Sequence, residues 1–166
     1  MSDEIDRLIW WAIDGVLAGM PMPFVATERR MNLGGDRNAY EDELPVLHQA
    51  GIRAVVCLLN PPSDAAVFTS AGFKFLCSPV EYGLAPSVEQ ARAIVKFIDV
   101  CHVEKLPVAV HCEGGLGRTG TAIAAYLIHK GMNARDAIRL VRSKEPSAIE
   151  TVRQIKFLEE FEALHP

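Results

Sequence analysis

The stretch Val108-Ala-Val-His-Cys-Glu-Gly-Gly-Leu-Gly-Arg-Thr-Gly-Thr121 constrains this chain more than any other. A short apolar run fit for a buried strand breaks into a glycine-rich turn, and the turn opens directly into a helical pattern. Strand, loop and helix joined this way belong to α/β architecture, where sites gather at the carboxyl edge of a parallel sheet. Gly114, Gly115 and Gly117 let the backbone turn so that successive N–H groups face one point. The helix that follows adds its unpaired first-turn donors and the positive end of its dipole. The expected product is an anion cradle made by the amides of Glu113, Gly114, Gly115, Leu116, Gly117 and Arg118, with the Cys112 thiol at its centre. Five residues separate Cys112 from Arg118, so the chain can loop around a tetrahedral oxyanion while the guanidinium grips two of its oxygens. These donors favour the thiolate over the thiol, and Thr119 stands where its hydroxyl can donate to that sulfur. His111, next to Cys112, is expected to hydrogen-bond the loop backbone rather than move protons.

The rest of the chain continues the α/β pattern. Trp10 to Met20 reads as one or two early strands bent at Asp14-Gly15, stopped by the prolines of Met20-Pro-Met-Pro23. Residues 24 to 38 carry no readable pattern. A helix is predicted over about Ala39 to Ala50, a strand over Ile52 to Leu59, a short helix near Asp64 to Ala71 capped by Ser63, and a strand over Phe73 to Cys77. Ser87-Val-Glu-Gln90 fits a capping box and opens a long helix to about Glu104. After the strand Pro107 to His111, helices are predicted up to Gly131, over about Ala134 to Arg142 behind the cap Asn133, and over about Glu150 to Leu164. The fold class expected is a single α/β domain over residues 1–166, with a central, mainly parallel sheet and helices on both faces.

Composition excludes several functions. With 166 residues, 49% of them hydrophobic, the chain has one domain's length and enough apolar matter for a core without metal or disulfide staples. A formal charge of −4 argues against broad binding to nucleic acid or anionic membrane. The run Leu8 to Ile13 is far short of a membrane span, and Asp3, Glu4 and Asp6 lie where a signal peptide would carry positive charge, so the expected location is the cytoplasm. Cys57, Cys77 and Cys101 read as small core residues, with a protective disulfide to Cys112 as the lesser alternative. No histidine has metal-ligand spacing.

His111-Cys112-x5-Arg118-Thr119 resembles the signature of the cysteine-dependent protein tyrosine phosphatases, and the small domain resembles the atypical dual-specificity phosphatases among them. Gly-Val-Leu-Ala-Gly at residues 15 to 19 is similar to that family's early strand, and Ser147-Ala-Ile-Glu-Thr-Val-Arg-Gln154 to the segment opening its last helix. The resemblance implies a tyrosine phosphatase-like fold and two-step phosphomonoester hydrolysis through a cysteinyl-phosphate, with no metal or other cofactor. It implies phosphorylated protein substrates; a monomer is expected, and the charge balance leaves no nucleic-acid or membrane partner expected. It also implies a carboxylic acid on a loop about thirty residues upstream of the nucleophile. Between Leu76 and Val88 the only carboxylate is Glu81, which makes it the candidate acid, while Tyr82 follows where some relatives carry aspartate. The segment Ser147 to Gln154 implies either a water-orienting role for Gln154 or a capping box with Thr151. No Asn-Arg-Tyr loop precedes the cradle, so a shallow cleft open to phosphoserine and phosphothreonine as well as phosphotyrosine is expected. Glu113 and Leu116 stand where phosphoinositide-acting relatives place lysines.

Other readings compete. Gly115-Leu-Gly-Arg-Thr-Gly120 satisfies a dinucleotide-binding fingerprint but lacks the second strand and acidic residue expected about 20 positions on. A phospho-binding module with little turnover, or a phosphatase of a small metabolite or an RNA 5′ phosphate, uses the same cradle. Arg37 and Arg142 are candidates for a positive rim, and Trp10 and Trp11 read as packing at a sheet edge.

Overall fold

The computed structural model describes residues 9–22, 44–59 and 65–165. A hairpin, β1 (Trp10–Ile13) and β2 (Leu17–Met20), is followed by α1 (Leu44–Gln49), β3 (Ala54–Cys57), α2 (Ala65–Ser70) and β4 (Lys74–Cys77). Then come α3 (Val88–Val103), β5 (Val108–His111), α4 (Gly117–His129), α5 (Ala134–Lys144) and α6 (Val152–Ala163). The sheet order is β1-β2-β5-β3-β4, with β1 antiparallel to β2 and every other pair parallel. The mainly parallel sheet read from the sequence is therefore present. The predicted cap Ser63, the first half of the predicted helix over 39–50, and Arg37 lie outside the described residues.

β5 sits in the middle, paired to β2 on one side and β3 on the other, and all four of its residues are buried. That is the continuous apolar run a parallel strand needs when both faces are covered. One face packs Val108 and Val110 with residues of α3 to α6, and the other packs Ala109 with Leu47 of α1 and Phe68 of α2. Met20, Cys57 and His111 share one row of the register, with Cys77 beside Cys57. All the parallel strands thus end along one edge, and the loop after His111 leaves from its centre.

Local signals fix most element ends. Ser87 and Gln90 form the expected capping box of α3, and Asn133 caps α5. At the end of α4, Met132 N donates to Leu127 O and Gly131 N to Ile128 O while Gly131 takes φ +101°, a left-handed cap that glycine adopts without strain. Elsewhere tertiary partners moved the boundaries. The strand predicted over Ile52 to Leu59 is only Ala54–Cys57, because its partner β5 starts at Val108 and the backbone of Arg53 is turned to Pro107 O. The last helix begins at Val152 rather than Glu150, because Ile149 takes φ +60° and Thr151 becomes the cap.

α4 is buried from Gly117 to Ile128, and Tyr126 lies within it. Burial, and then the negative charge of Asp99, pushes the Tyr126 phenol up to about 12. A tyrosine in the unfolded chain titrates near about 10. Since the folded value is the higher, Tyr126 supports folding fully below pH ~10 and that support is lost as pH rises from ~10 through ~12. Denaturant midpoints measured from pH 8 to 11.5 should fall more steeply in wild type than in Tyr126→Phe. Parallel slopes would show that this phenol does not contribute.

Candidate active site

The loop between β5 and α4 curls around the Cys112 sulfur. Gly115 N donates to Sγ at 3.3 Å and Thr119 Oγ1 donates to it at 3.1 Å. Cys112, Arg118 and Thr119 are all buried, so the thiol lies at the bottom of the loop with donors from the backbone and from the first turn of α4. Gly115 takes φ +74°, and a Cβ there would collide with the backbone of Met20 and Pro21. Only glycine lets β2 pass this close beneath the loop.

Arg118 is 4% exposed. One of its Nη groups donates to Val80 O at 2.8 Å, and the Tyr82 ring lies over the guanidinium at 5.7 Å. Arg118 also lines the cleft beside Cys112. Both contacts come from the loop after β4, which is tied down along its length: Gln90 Nε2 donates to Pro79 O at 2.8 Å, Thr151 Oγ1 to Gly83 O at 2.9 Å, and Gln154 Nε2 to Leu84 O at 3.2 Å.

An open cleft of about 460 Å³ is lined by Cys112, Glu113, Gly114, Leu116, Gly117, Arg118, Tyr82 and Glu150. Tyr82, 78% exposed, forms an aromatic wall at its mouth. Glu81 is exposed and does not line this cleft. Among the described residues, the carboxylates that do are Glu113 and Glu150, and Glu150 is the cleft residue that sequence reasoning missed. Glu150 reaches the cradle so closely that a Cβ on Gly117 would collide with its Oε2. The signal for it was thin, since its placement depends on the left-handed turn at Ile149 that no local pattern announces.

The other expected residues sort clearly. His111 Nδ1 lies 3.2 Å from Cys112 O, within the buried core. Gln154 Oε1 accepts from Glu150 N at 2.8 Å and Thr151 N at 3.1 Å, so the capping box of α6 is present. Arg142 is no part of a rim: its Nε and Nη2 donate to Ala148 O and Ile149 O at 3.1 and 2.7 Å, clamping the turn that presents Glu150. Trp10 is more than edge packing, since its Nε1 donates to Gly115 O at 3.1 Å. None of the four cysteines is joined in a disulfide. After β5 the chain is helical, with no second strand to complete a dinucleotide fingerprint.

Fold and site together define a thiol-centred oxyanion cradle at the carboxyl edge of a parallel sheet. The family model described as "Polymorphic toxin system, DSP-PTPase phosphatase" matches residues 30–132, which include the whole of that cradle. Among curated proteins, the mouse (Mus musculus) dual-specificity protein phosphatase CDC14B is 34% identical over 122 residues, covering 72% of this chain and 24% of the relative. Human (Homo sapiens) CDC14A is 31% identical over 154 residues, covering 92% and 25%. The chain spans about a quarter of the length of these relatives. A crystal structure of Tk-PTP in its active form superposes with a TM-score of 0.79 at 32% identity, covering 94% of this chain and 97% of that one. Kinase-associated phosphatase with its catalytic cysteine changed to serine shares the fold, with a TM-score of 0.77 at 20% identity and 94% of each chain covered. The chain belongs to the dual-specificity phosphatases of the cysteine-dependent protein tyrosine phosphatase superfamily. Among the described residues, no helix is long and apolar enough to cross a membrane.

Proposed function

We propose that this protein hydrolyses phosphomonoesters on phosphorylated proteins, phosphotyrosine first and phosphoserine or phosphothreonine as well, through a cysteinyl-phosphate intermediate and without a metal. The observation that carries the reading is the convergence on one buried sulfur of a backbone N–H and the Thr119 hydroxyl, within a loop that ends in Arg118. The Cys112 thiolate attacks phosphorus and forms the P–S bond. The bond to the leaving oxygen breaks, and that oxygen takes a proton from an acid. In the second step water attacks phosphorus, the P–S bond breaks, the water proton passes to the same carboxylate, and the sulfur leaves as a thiolate accepting from Thr119. The cradle amides and Arg118 hold the charge on the non-bridging oxygens throughout.

Two carboxylates compete for the acid and base role. Glu81 sits on the loop where the family resemblance places an acid. Glu150 lines the cleft beside Gly117, and its backbone is held by Gln154. We assign the proton transfers to Glu150 on that placement. The open cleft with Tyr82 as a wall suits an aryl phosphate lying along the ring and leaves room for shorter phosphoester side chains.

Steady-state hydrolysis in EDTA tests both parts of the proposal, with para-nitrophenyl phosphate, phosphotyrosine and phosphothreonine peptides as substrates. Glu150→Gln is expected to lose roughly 10²-fold or more in kcat on the peptides and much less on para-nitrophenyl phosphate, whose leaving group hardly needs a proton. The same pattern in Glu81→Gln, with Glu150→Gln near wild type, would return the role to Glu81. Absence of turnover by wild type on every phosphoester would defeat the enzymatic reading.

A further inference from the structure

We infer that the Trp10 indole N–H is a positioning element for the oxyanion cradle: from an edge strand it holds the Gly115–Leu116 peptide in the one orientation that aims the Leu116 amide into the cleft. The inference rests on the cradle reading above and goes beyond it, because Trp10 lies in the first strand and touches neither the sulfur nor the cleft.

The argument starts from peptide geometry. A trans peptide is planar, with its C=O and N–H pointing in opposite directions. A loop whose N–H groups must converge on an anion therefore has to send the matching carbonyls outward, where each needs a partner of its own. Two carbonyls of this loop are met by the N-terminal hairpin. Glu113 O accepts from Met22 N at 2.9 Å, and Gly115 O accepts from Trp10 Nε1 at 3.1 Å. The peptides concerned are those whose N–H groups belong to Gly114 and Leu116, both of which line the cleft. The first partner is main chain, and the second is a single side chain.

Gly115 is the residue most able to undo this arrangement. At φ +74° it occupies a region glycine enters freely, and glycine leaves it as freely, so its own backbone preference does not fix the peptide that follows. Something outside the loop must do so. Trp10 is well placed for that work: its ring packs against Gly19, where any Cβ would collide with it, and β1 is tied to β2 by the register Trp10↔Gly19. The indole is thus aimed by a glycine on the neighbouring strand, and β2 is itself paired to β5, from which the cradle springs. With the indole N–H absent, Gly115 O has no donor on that side and the peptide is free to rotate, turning a carbonyl toward the bound anion.

The test compares Trp10→Phe, which keeps an aromatic ring over Gly19 without the N–H, with Trp11→Phe, whose ring packs on the opposite face of the sheet. Inhibition by orthovanadate and inorganic phosphate is measured with kcat and KM for para-nitrophenyl phosphate, and melting temperatures are recorded for each protein. The expected result is a roughly 10-fold weaker inhibition by both anions and a similar fall in kcat for Trp10→Phe, with Trp11→Phe unchanged. If the phenylalanine protein does not fold, benzothienylalanine at position 10, a tryptophan isostere with sulfur in place of the N–H, supplies the same comparison. Wild-type anion affinity and kcat in the position-10 variants would overturn the inference while leaving the phosphatase reading intact, as would an equal loss in Trp11→Phe. Failure of the wild type to bind either anion would overturn that reading and this inference with it.

Discussion

Cys112→Ser is expected to lose on the order of 10⁴-fold or more in kcat/KM on every phosphoester, while still binding phosphopeptides. Serine is nearly the same size, so the loop should keep its shape, and the backbone donors that hold the phosphoryl oxygens belong to other residues. What disappears is the sulfur that the proposed reaction uses as its nucleophile. Two donors are aimed at the sulfur, Gly115 N at 3.3 Å and Thr119 Oγ1 at 3.1 Å, and neither can remove a proton from an alcohol. The one imidazole beside the site, His111, is fully buried in the strand with Nδ1 turned to Cys112 O, where it cannot act as a base toward residue 112. A serine hydroxyl at this position therefore has no path to an alkoxide. Kinetics on para-nitrophenyl phosphate together with calorimetric titration of a phosphotyrosine peptide checks both halves. Residual activity above about 1% of wild type would mean that the sulfur is not the attacking atom.

What the sequence disclosed about this site follows the range of the interactions involved. The strand, loop and helix around Cys112 were legible because every signal lies within fourteen consecutive residues: a buried run, three glycines, an arginine and a threonine. The capping boxes of α3 and α6 were legible for the same reason, each closing over three residues from Ser87 to Gln90 and from Thr151 to Gln154. Gln154 carried two readings in the sequence; its cap bond with Thr151 follows that spacing, whereas its bond to Leu84 O joins residues that no spacing rule links. Glu150 was illegible as a cleft residue. Its position depends on the left-handed backbone of Ile149 and on Arg142 gripping the two preceding carbonyls, a clamp built between α5 and the turn that follows it. Trp10 was still further from view, since its partner Gly115 lies 105 residues away and only the sheet order places β1 within reach of the loop. Local chemistry could be read directly; the residues that aim it were set by tertiary packing.

Arg118→Lys is expected to lose on the order of 10³-fold in kcat, the scale on which a charge-stabilising donor at a phosphoryl or acyl transition state is felt. The substitution keeps the positive charge and would be mild if charge alone mattered. It is not mild here because Arg118 performs two tasks with one rigid, planar group. One Nη holds Val80 O at 2.8 Å, fixing the loop that carries Tyr82, and the guanidinium plane lies under the Tyr82 ring at 5.7 Å. Arg118 also lines the cleft, where a guanidinium fork can meet two phosphoryl oxygens side by side. A lysine ammonium is a point donor on a flexible stem and cannot occupy both positions. If it turns to the phosphoryl group, Val80 O is left buried without its donor, at a cost of about 1–3 kcal/mol. If it stays with Val80, the transition state loses its clamp. Either way the wall formed by Tyr82 loses the cation beneath it, so KM for aryl phosphates should rise along with the fall in kcat. Thermal unfolding measured beside the kinetics separates the two outcomes, a lower melting temperature marking the first and an unchanged one the second. An Arg118→Lys enzyme within 10-fold of wild type in kcat would show that a single point charge suffices, and that the fork of the guanidinium serves only to tie the loop.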